Sequence, residues 1–157
     1  MTTETMLSTY AYRLKLVRER EVPYHTGSTN TPEIAAQIIR NHIDHADREM
    51  FTVLALDARN NVIGISTISI GNLDSAIVHP REVLKFAILA NAASIILAHN
   101  HPSGEVSPSS EDYTLTSRLI QAADIIGIDV LDHLILGGEQ ALYSFKRSGN
   151  LRKPSAS

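Results

Sequence analysis

The chain contains no cysteine. A disulfide framework is therefore excluded, and so is any metal site built on thiolates. A zinc site here must draw on His, Asp, Glu and water. No apolar run approaches the roughly 18 residues needed to cross a bilayer. No basic segment followed by an apolar stretch opens the chain, so no secretory signal is expected. These absences together lead us to expect a cytoplasmic protein with no membrane partner. Neither sign of charge dominates: 14 Lys and Arg against 17 Asp and Glu give a net charge of -3. Such a balance supplies no general attraction to phosphate backbones. No internal repeat or low-complexity segment stands out.

What remains is an ordinary globular composition, 43% apolar and 20% charged over 157 residues, enough for one domain with its own core. Basic residues gather near both ends: Arg13, Lys15, Arg18 and Arg20, then Lys146, Arg147, Arg152 and Lys153. They read either as a solvated face or as a weak nucleic-acid patch. Flexible ends are expected at 1–8 and 151–157, with a flexible link over 24–30, around a domain at 9–150.

The pattern of elements is legible along the chain. Tyr10, Tyr12, Leu14 and Leu16 alternate with Arg13 and Lys15, the signature of a half-buried strand. Residues 31–46 read as a helix, with Thr31 as cap, Pro32 in the first position and Ile34 and Ile38 on one face. Two strands over 49–70, separated by the turn 58–61, predict a hairpin. A helix beginning at Pro80 follows, then the wholly apolar run 94–98, expected as a buried central strand. The next helix, 109–127, has Leu115, Leu119, Ala122, Ala123 and Ile126 as its inner stripe and Gly127 as its stop. Two last strands complete the order β-α-β-β-α-β-α-β-β. The fold class is α/β (α+β), a mixed sheet with helices packed on it.

The chemistry concentrates in 96–112, "ILAHNHPSGEVSPSSED". His99 and His101 follow the buried strand, and a spacing of two sends both rings to one side. Asp112 lies in the first turn of the next helix, and Pro102, Gly104 and Pro108 let the loop fold back toward the rings. Three such ligands would leave a fourth tetrahedral position open, as in catalytic zinc sites. The same residues have a plainer reading. Ser109-x-x-Asp112 resembles a capping box, in which Asp112 would pair with backbone amides alone. His133 alternates with apolar residues, which suits a core or supporting histidine better than a ligand. The letters of His99, Asn100 and His101 do not indicate an HNH nuclease, whose signature is spread over tens of positions.

The full spacing, His99-x-His101, seven residues, Ser109, two residues, Asp112, resembles the JAMM motif of the JAB/MPN metalloprotease superfamily. More narrowly, "VHPREVLKFAILANAASIILAHNHPSG" and "LDHLILG" resemble the RadC family over roughly 45–145. The resemblance implies a single JAB/MPN-like domain, a curved mixed sheet flanked by helices. It implies one Zn2+ per chain held by His99, His101 and Asp112, with Ser109 stabilising the developing oxyanion. A glutamate would act as general base on zinc-activated water. The matching position is Glu49, with Glu82 and Glu105 as rivals. The implied function is a zinc-dependent metallohydrolase, a peptidase or isopeptidase acting on a peptide or protein. Two alternatives stand beside it: a metal-dependent nuclease or DNA-repair accessory, and an interaction module with a vestigial metal site. Two departures bear on the choice. The chain has little room for the insertions with which related deubiquitinases grip ubiquitin. Only residues 1–48 precede Glu49, so it resembles short stand-alone RadC-like proteins that lack the family's helical DNA-binding region.

Overall fold

The structure is a computed structural model and describes residues 6–25, 28–43, 46–71 and 78–152. The elements run α1 (Pro32–Ile43), β1 (Met50–Leu56), β2 (Val62–Ile70), α2 (Pro80–Leu89), β3 (Ser94–Asn100), α3 (Ser110–Ile126), β4 (Asp129–Leu136) and β5 (Leu142–Ser144). The five strands form one sheet in the order β2-β1-β3-β4-β5. β3 and β4 run parallel and every other pair antiparallel, so the sheet is mixed.

Alternation along the strands divides the core in two. Phe51, Val53, Ile95 and Leu97 face α2 and α3, where they meet Val83, Ala87, Leu115, Leu119 and Ala123. Leu54, Leu56, Ile96, Ala98, Leu134 and Leu136 face α1 and meet Ala35, Ala36, Ile38 and Ile39. β3 is buried at every position because it is central and covered on both sides, which is why its sequence is a continuous apolar run.

The helix ends follow local chemistry. Ile34 N–H donates to Thr31 Oγ1 at 3.4 Å, so Thr31 caps α1 as expected. Pro80 opens α2, where its missing N–H costs nothing. Gly127 takes φ 84°, and the N–H groups of Gly127 and Ile128 both return to Ala123 O, closing α3 with a left-handed residue that suits glycine.

Two expectations are corrected. Residues 10–16 form no strand: Tyr10, Tyr12, Leu14 and Leu16 are 81, 83, 76 and 47% exposed. Their alternation is genuine, but a strand needs a neighbour's backbone to hold it, and among the described residues no strand pairs with them. On α3, Ile126 is largely exposed while Thr116 and Ile120 are buried. The buried stripe follows the 3.6-residue period from Asp112 through Leu115, Leu119 and Ala123, and the last turn runs past it into solvent. Of the helix expected over 31–46, residues 44–45 lie outside the described residues, as do 26–27 of the link expected at 24–30 and most of both expected flexible ends. Among the described residues no helix is long and apolar enough to cross a membrane.

Candidate metal centre

β3 ends where its sequence turns polar. Asn100 accepts from Met50 N–H at 2.7 Å and donates to Arg48 O at 2.8 Å, tying the end of β3 to the head of β1. The chain then departs as a loop. His101 N–H donates to Leu136 O at 2.8 Å, and Gly104, at φ 90°, turns the loop back. Gly137 is pressed against this loop: a methyl group there would lie 2.3 Å from Gly104 O and 2.6 Å from Val106 Cγ1, so no side chain fits. Arg40 reaches from α1 to hold the same turn, donating to Gly137 O at 3.0 Å and Ala141 O at 2.7 Å.

The loop delivers His101 beside His99, and the start of α3 delivers Asp112. The ring atoms His99 Nε2 and His101 Nε2 are 3.1 Å apart. Asp112 Oδ1 lies 3.2 Å from His99 Nε2, and Asp112 Oδ2 lies 3.6 Å from His101 Nε2. Among the described residues, these three form the one group of His and carboxylate side chains close enough to hold a common ion. His99 and Asp112 are buried, and His101 is partly exposed.

The hydrogen bonds decide which ring nitrogens carry protons. Thr116 Oγ1 donates its single proton to Asp112 O at 2.6 Å, since a carbonyl can only accept. Toward His133 Nδ1, at 2.5 Å, the hydroxyl must therefore accept, and His133 carries its proton on Nδ1. Complete burial, then the neighbouring His99, holds His133 well below the ordinary histidine range, so the ring is neutral and Nε2 is a bare acceptor. It accepts from His99 Nδ1 at 2.8 Å. That leaves the Nε2 lone pair of His99 facing the cluster. His101 Nδ1 likewise donates to Glu105 O at 2.8 Å and turns its own Nε2 lone pair inward. Orientation of a ligating imidazole through its other nitrogen is the usual way such rings are fixed. Aromatic rings close the buried side: Phe51 stacks on His99 with centroids 6.3 Å apart, and Phe145 stacks on His133 at 4.9 Å.

Asp112 is the cluster's charge. Burial opposes its ionisation, and the hydrogen bond donated by Ser109 N–H favours the charged carboxylate. The cluster is thus one carboxylate and two imidazole lone pairs, all acceptors, in mutual contact. A metal cation would satisfy such a group. Two imidazoles and a carboxylate match the donor set of zinc, and a tetrahedral ion with bonds near 2.0–2.1 Å places its ligand atoms about 3.3 Å apart. The observed separations of 3.1, 3.2 and 3.6 Å bracket that value.

The capping box is present as well. Ser109 Oγ accepts from Asp112 N–H at 3.1 Å, and Asp112 Oδ2 accepts from Ser109 N–H at 2.8 Å. The two readings of Ser109-x-x-Asp112 are compatible, because the cap aims the carboxylate that completes the cluster. Glu49 sits immediately before β1 and is partly buried. Phe51 pairs with His99 across β1 and β3, so continuing the antiparallel register by two residues sets position 49 opposite position 101. Glu82 lies on α2 and is engaged by Lys85 at 2.6 Å, as an ordinary surface carboxylate would be. Glu105 is exposed, and its contribution to the loop is its carbonyl. Thr116 escaped the sequence reading. Its signal was its place four residues after Asp112, on the same face of α3.

Residues 29–150 match the family model described as the RadC-like JAB domain. The chain belongs to this family. It is 47% identical over 140 residues to a UPF0758 protein of Rubrobacter xylanophilus, covering 88% of this chain and 61% of that one. Similar proteins in Desulforamulus reducens (51% identical over 118 residues) and Moorella thermoacetica (49% over 106) are covered to 52% and 46% of their length by 75% and 68% of this chain. The chain thus spans about half of most of the curated relatives it matches.

Proposed function

We propose that this RadC-like JAB domain is a zinc-dependent hydrolase of amide bonds, a peptidase or isopeptidase, with His99, His101 and Asp112 as the metal ligands. The observation that carries the reading is the acceptor-only cluster, with ligand atoms 3.1–3.6 Å apart and both ring tautomers set by outer hydrogen bonds. When bound, zinc supplies Lewis-acid polarisation of a carbonyl and a lowered pKa for water, toward about 7. Glu49 is assigned as the base: its carboxylate takes a proton from the attacking water and passes it to the leaving nitrogen. Its register position opposite His101, at the open end of β1 and β3, supports this. Ser109, exposed at the start of α3, would donate its hydroxyl to the developing oxyanion.

The surroundings favour a peptide over a nucleic acid. The loop and the first turn of α3 present Glu105 and Glu111 to solvent, which repel a phosphate backbone. Of the basic residues near the ends, Arg147 is taken up by Glu33 at 2.6 Å and Arg20 by His42. Purified protein should be assayed for metal content and incubated with peptide and isopeptide libraries and with single- and double-stranded DNA. Chelator-sensitive amide cleavage is expected. Cleavage of DNA with no amide turnover would replace this reading with the nuclease alternative, and a protein that binds no metal ion would remove both.

A further inference from the structure

Among the described residues a strand-patterned segment joins no sheet, and β2 has a neighbouring strand on one side only, apart from a single bridge of Ser28 to Asn61 just before it. Residues 10–16 alternate cleanly, yet their four large apolar side chains are exposed. β2, at the other end of the mismatch, is an edge strand of nine residues, Val62–Ile70, without a single charge or proline. None of its residues is buried, whereas β3 is buried throughout, and Ile63 and Ile70 are 44 and 62% exposed. Natural edge strands are ordinarily blunted by lysine, proline or short length, because an open row of N–H and C=O groups is a template for another strand. β2 carries register shifts opposite Phe51/Thr52 and Ala55/Leu56 but no charged or proline guard.

The two features are also neighbours. Arg20 Nη2 donates to His42 O, His42 Nε2 contacts Thr67 Oγ1 at 2.9 Å, and Asn41 Nδ2 donates to Pro23 O at 3.0 Å. The segment therefore leaves the body of the domain beside the middle of β2. Residues 10–16 lie four to ten positions beyond that anchor, a reach of about 13–33 Å when extended.

We propose that two copies of this chain exchange these segments, residues 10–16 of each pairing as an added strand along β2 of the other. The inference is independent of the chemistry at His99. Every copy carries both the strand and the edge, so the contact is self-complementary and closes at two, as an isologous dimer must. Main-chain hydrogen bonds would supply the pairing, as in other cases of strand addition. The area is adequate. At about 150–250 Å² per buried aromatic side chain, the four tyrosines of two arms contribute about 600–1,000 Å². Leu14, Leu16 and the covered edge add to this, and a stable interface needs about 1,200–2,000 Å² in total.

The full chain in sedimentation equilibrium should be a dimer at micromolar concentration. Tyr10→Asp with Tyr12→Asp should make it a monomer of unchanged metal content, and Tyr10→Phe with Tyr12→Phe should leave it a dimer. Because the chain has no cysteine, a Tyr12→Cys chain can be mixed with chains carrying one cysteine at each position of 62–70 in turn. A disulfide between the two kinds of chain is expected at one or two neighbouring positions. A monomer at all concentrations, a dimer that survives the aspartates, or cross-linking that forms only when both cysteines lie in one chain would each overturn the proposal.

Discussion

The two faces of the sheet are both buried and differently built. Toward α1 the packing is mostly aliphatic, with the buried hydroxyls of Thr52 and Ser94 set among it: Ile38 and Ile39 rest on Leu54, Ile96, Leu134 and Leu136. Toward α3 the same strands begin with aliphatic packing and end in a buried polar cluster of His99, His133, Thr116 and Asp112. One step of alternation separates them, since Ala98 faces α1 and His99 faces α3. On the aliphatic face, stability depends on volume and contact. On the polar face, among the described residues, His99 Nε2, His101 Nε2 and an Asp112 carboxylate oxygen are brought to one point. A core can thus be extended into a site by a network whose only unmet need is a positive charge.

The largest effect should come from removing that need. A His99→Ala, His101→Ala double variant should lose essentially all zinc from a protein that otherwise purifies with about one per chain, read by elemental analysis. Equal metal in both proteins would refute the ligand assignment. The matching change on the other face is Ile39→Ala, which deletes a side chain 1% exposed. It should cost about 2–5 kcal/mol of stability in denaturant titration while zinc content stays unchanged. If Ile39→Ala also releases zinc, the two faces are coupled and the contrast fails.

Glu49 sharpens the comparison at the open end of the polar face. Glu49→Gln keeps size and much of the hydrogen bonding but cannot take a proton. The variant should fold, hold zinc, and lose at least about a hundredfold in turnover, the scale of a lost acid–base group. Full activity would move the search for the base to Glu105, because Glu82 is engaged by Lys85.

How far the sequence could be read follows from this contrast. The aliphatic face announced itself: apolar runs and helical spacing placed β1, β3, β4 and α1, where the apolar pattern and burial coincide. The grouping of His99, His101 and Asp112 was legible through its motif spacing. The hydrogen-bond relay behind it was not, because a Thr on a helix and a His on a strand carry no mark of their partners until β4 is set beside β3, with Leu97 opposite His133. The segment 10–16 misled for a related reason. Its alternation describes what the side chains could pair with, while strand formation depends on whether a partner backbone is present.

The relay itself can be broken with little change in volume. His133→Phe keeps the ring stacked near Phe145 but leaves His99 Nδ1 without an acceptor. Loss of such an orienting partner typically weakens a metal site about 10–100-fold. Competition against a calibrated chelator should show that loss, and Thr116→Val should show a smaller one in the same direction. Unchanged affinity in both would mean that the rings are held by packing alone.

The smallest effect concerns Ser109, where the cap and the proposed oxyanion donor are the same atom. The hydrogen bond from Asp112 N–H to Ser109 Oγ establishes the cap. Ser109→Ala should therefore cost about 1 kcal/mol, a fall of about 2–4 °C in melting temperature for a chain of this size. A drop in turnover at constant zinc content would add the catalytic role. The two roles separate in Ser109→Asp, since aspartate caps a helix about as well as serine but, when ionised, has no proton to give. That variant should recover most of the melting temperature and remain slow. If it turns over as fast as the parent, Ser109 is a cap that aims Asp112, and the oxyanion must be met by another donor.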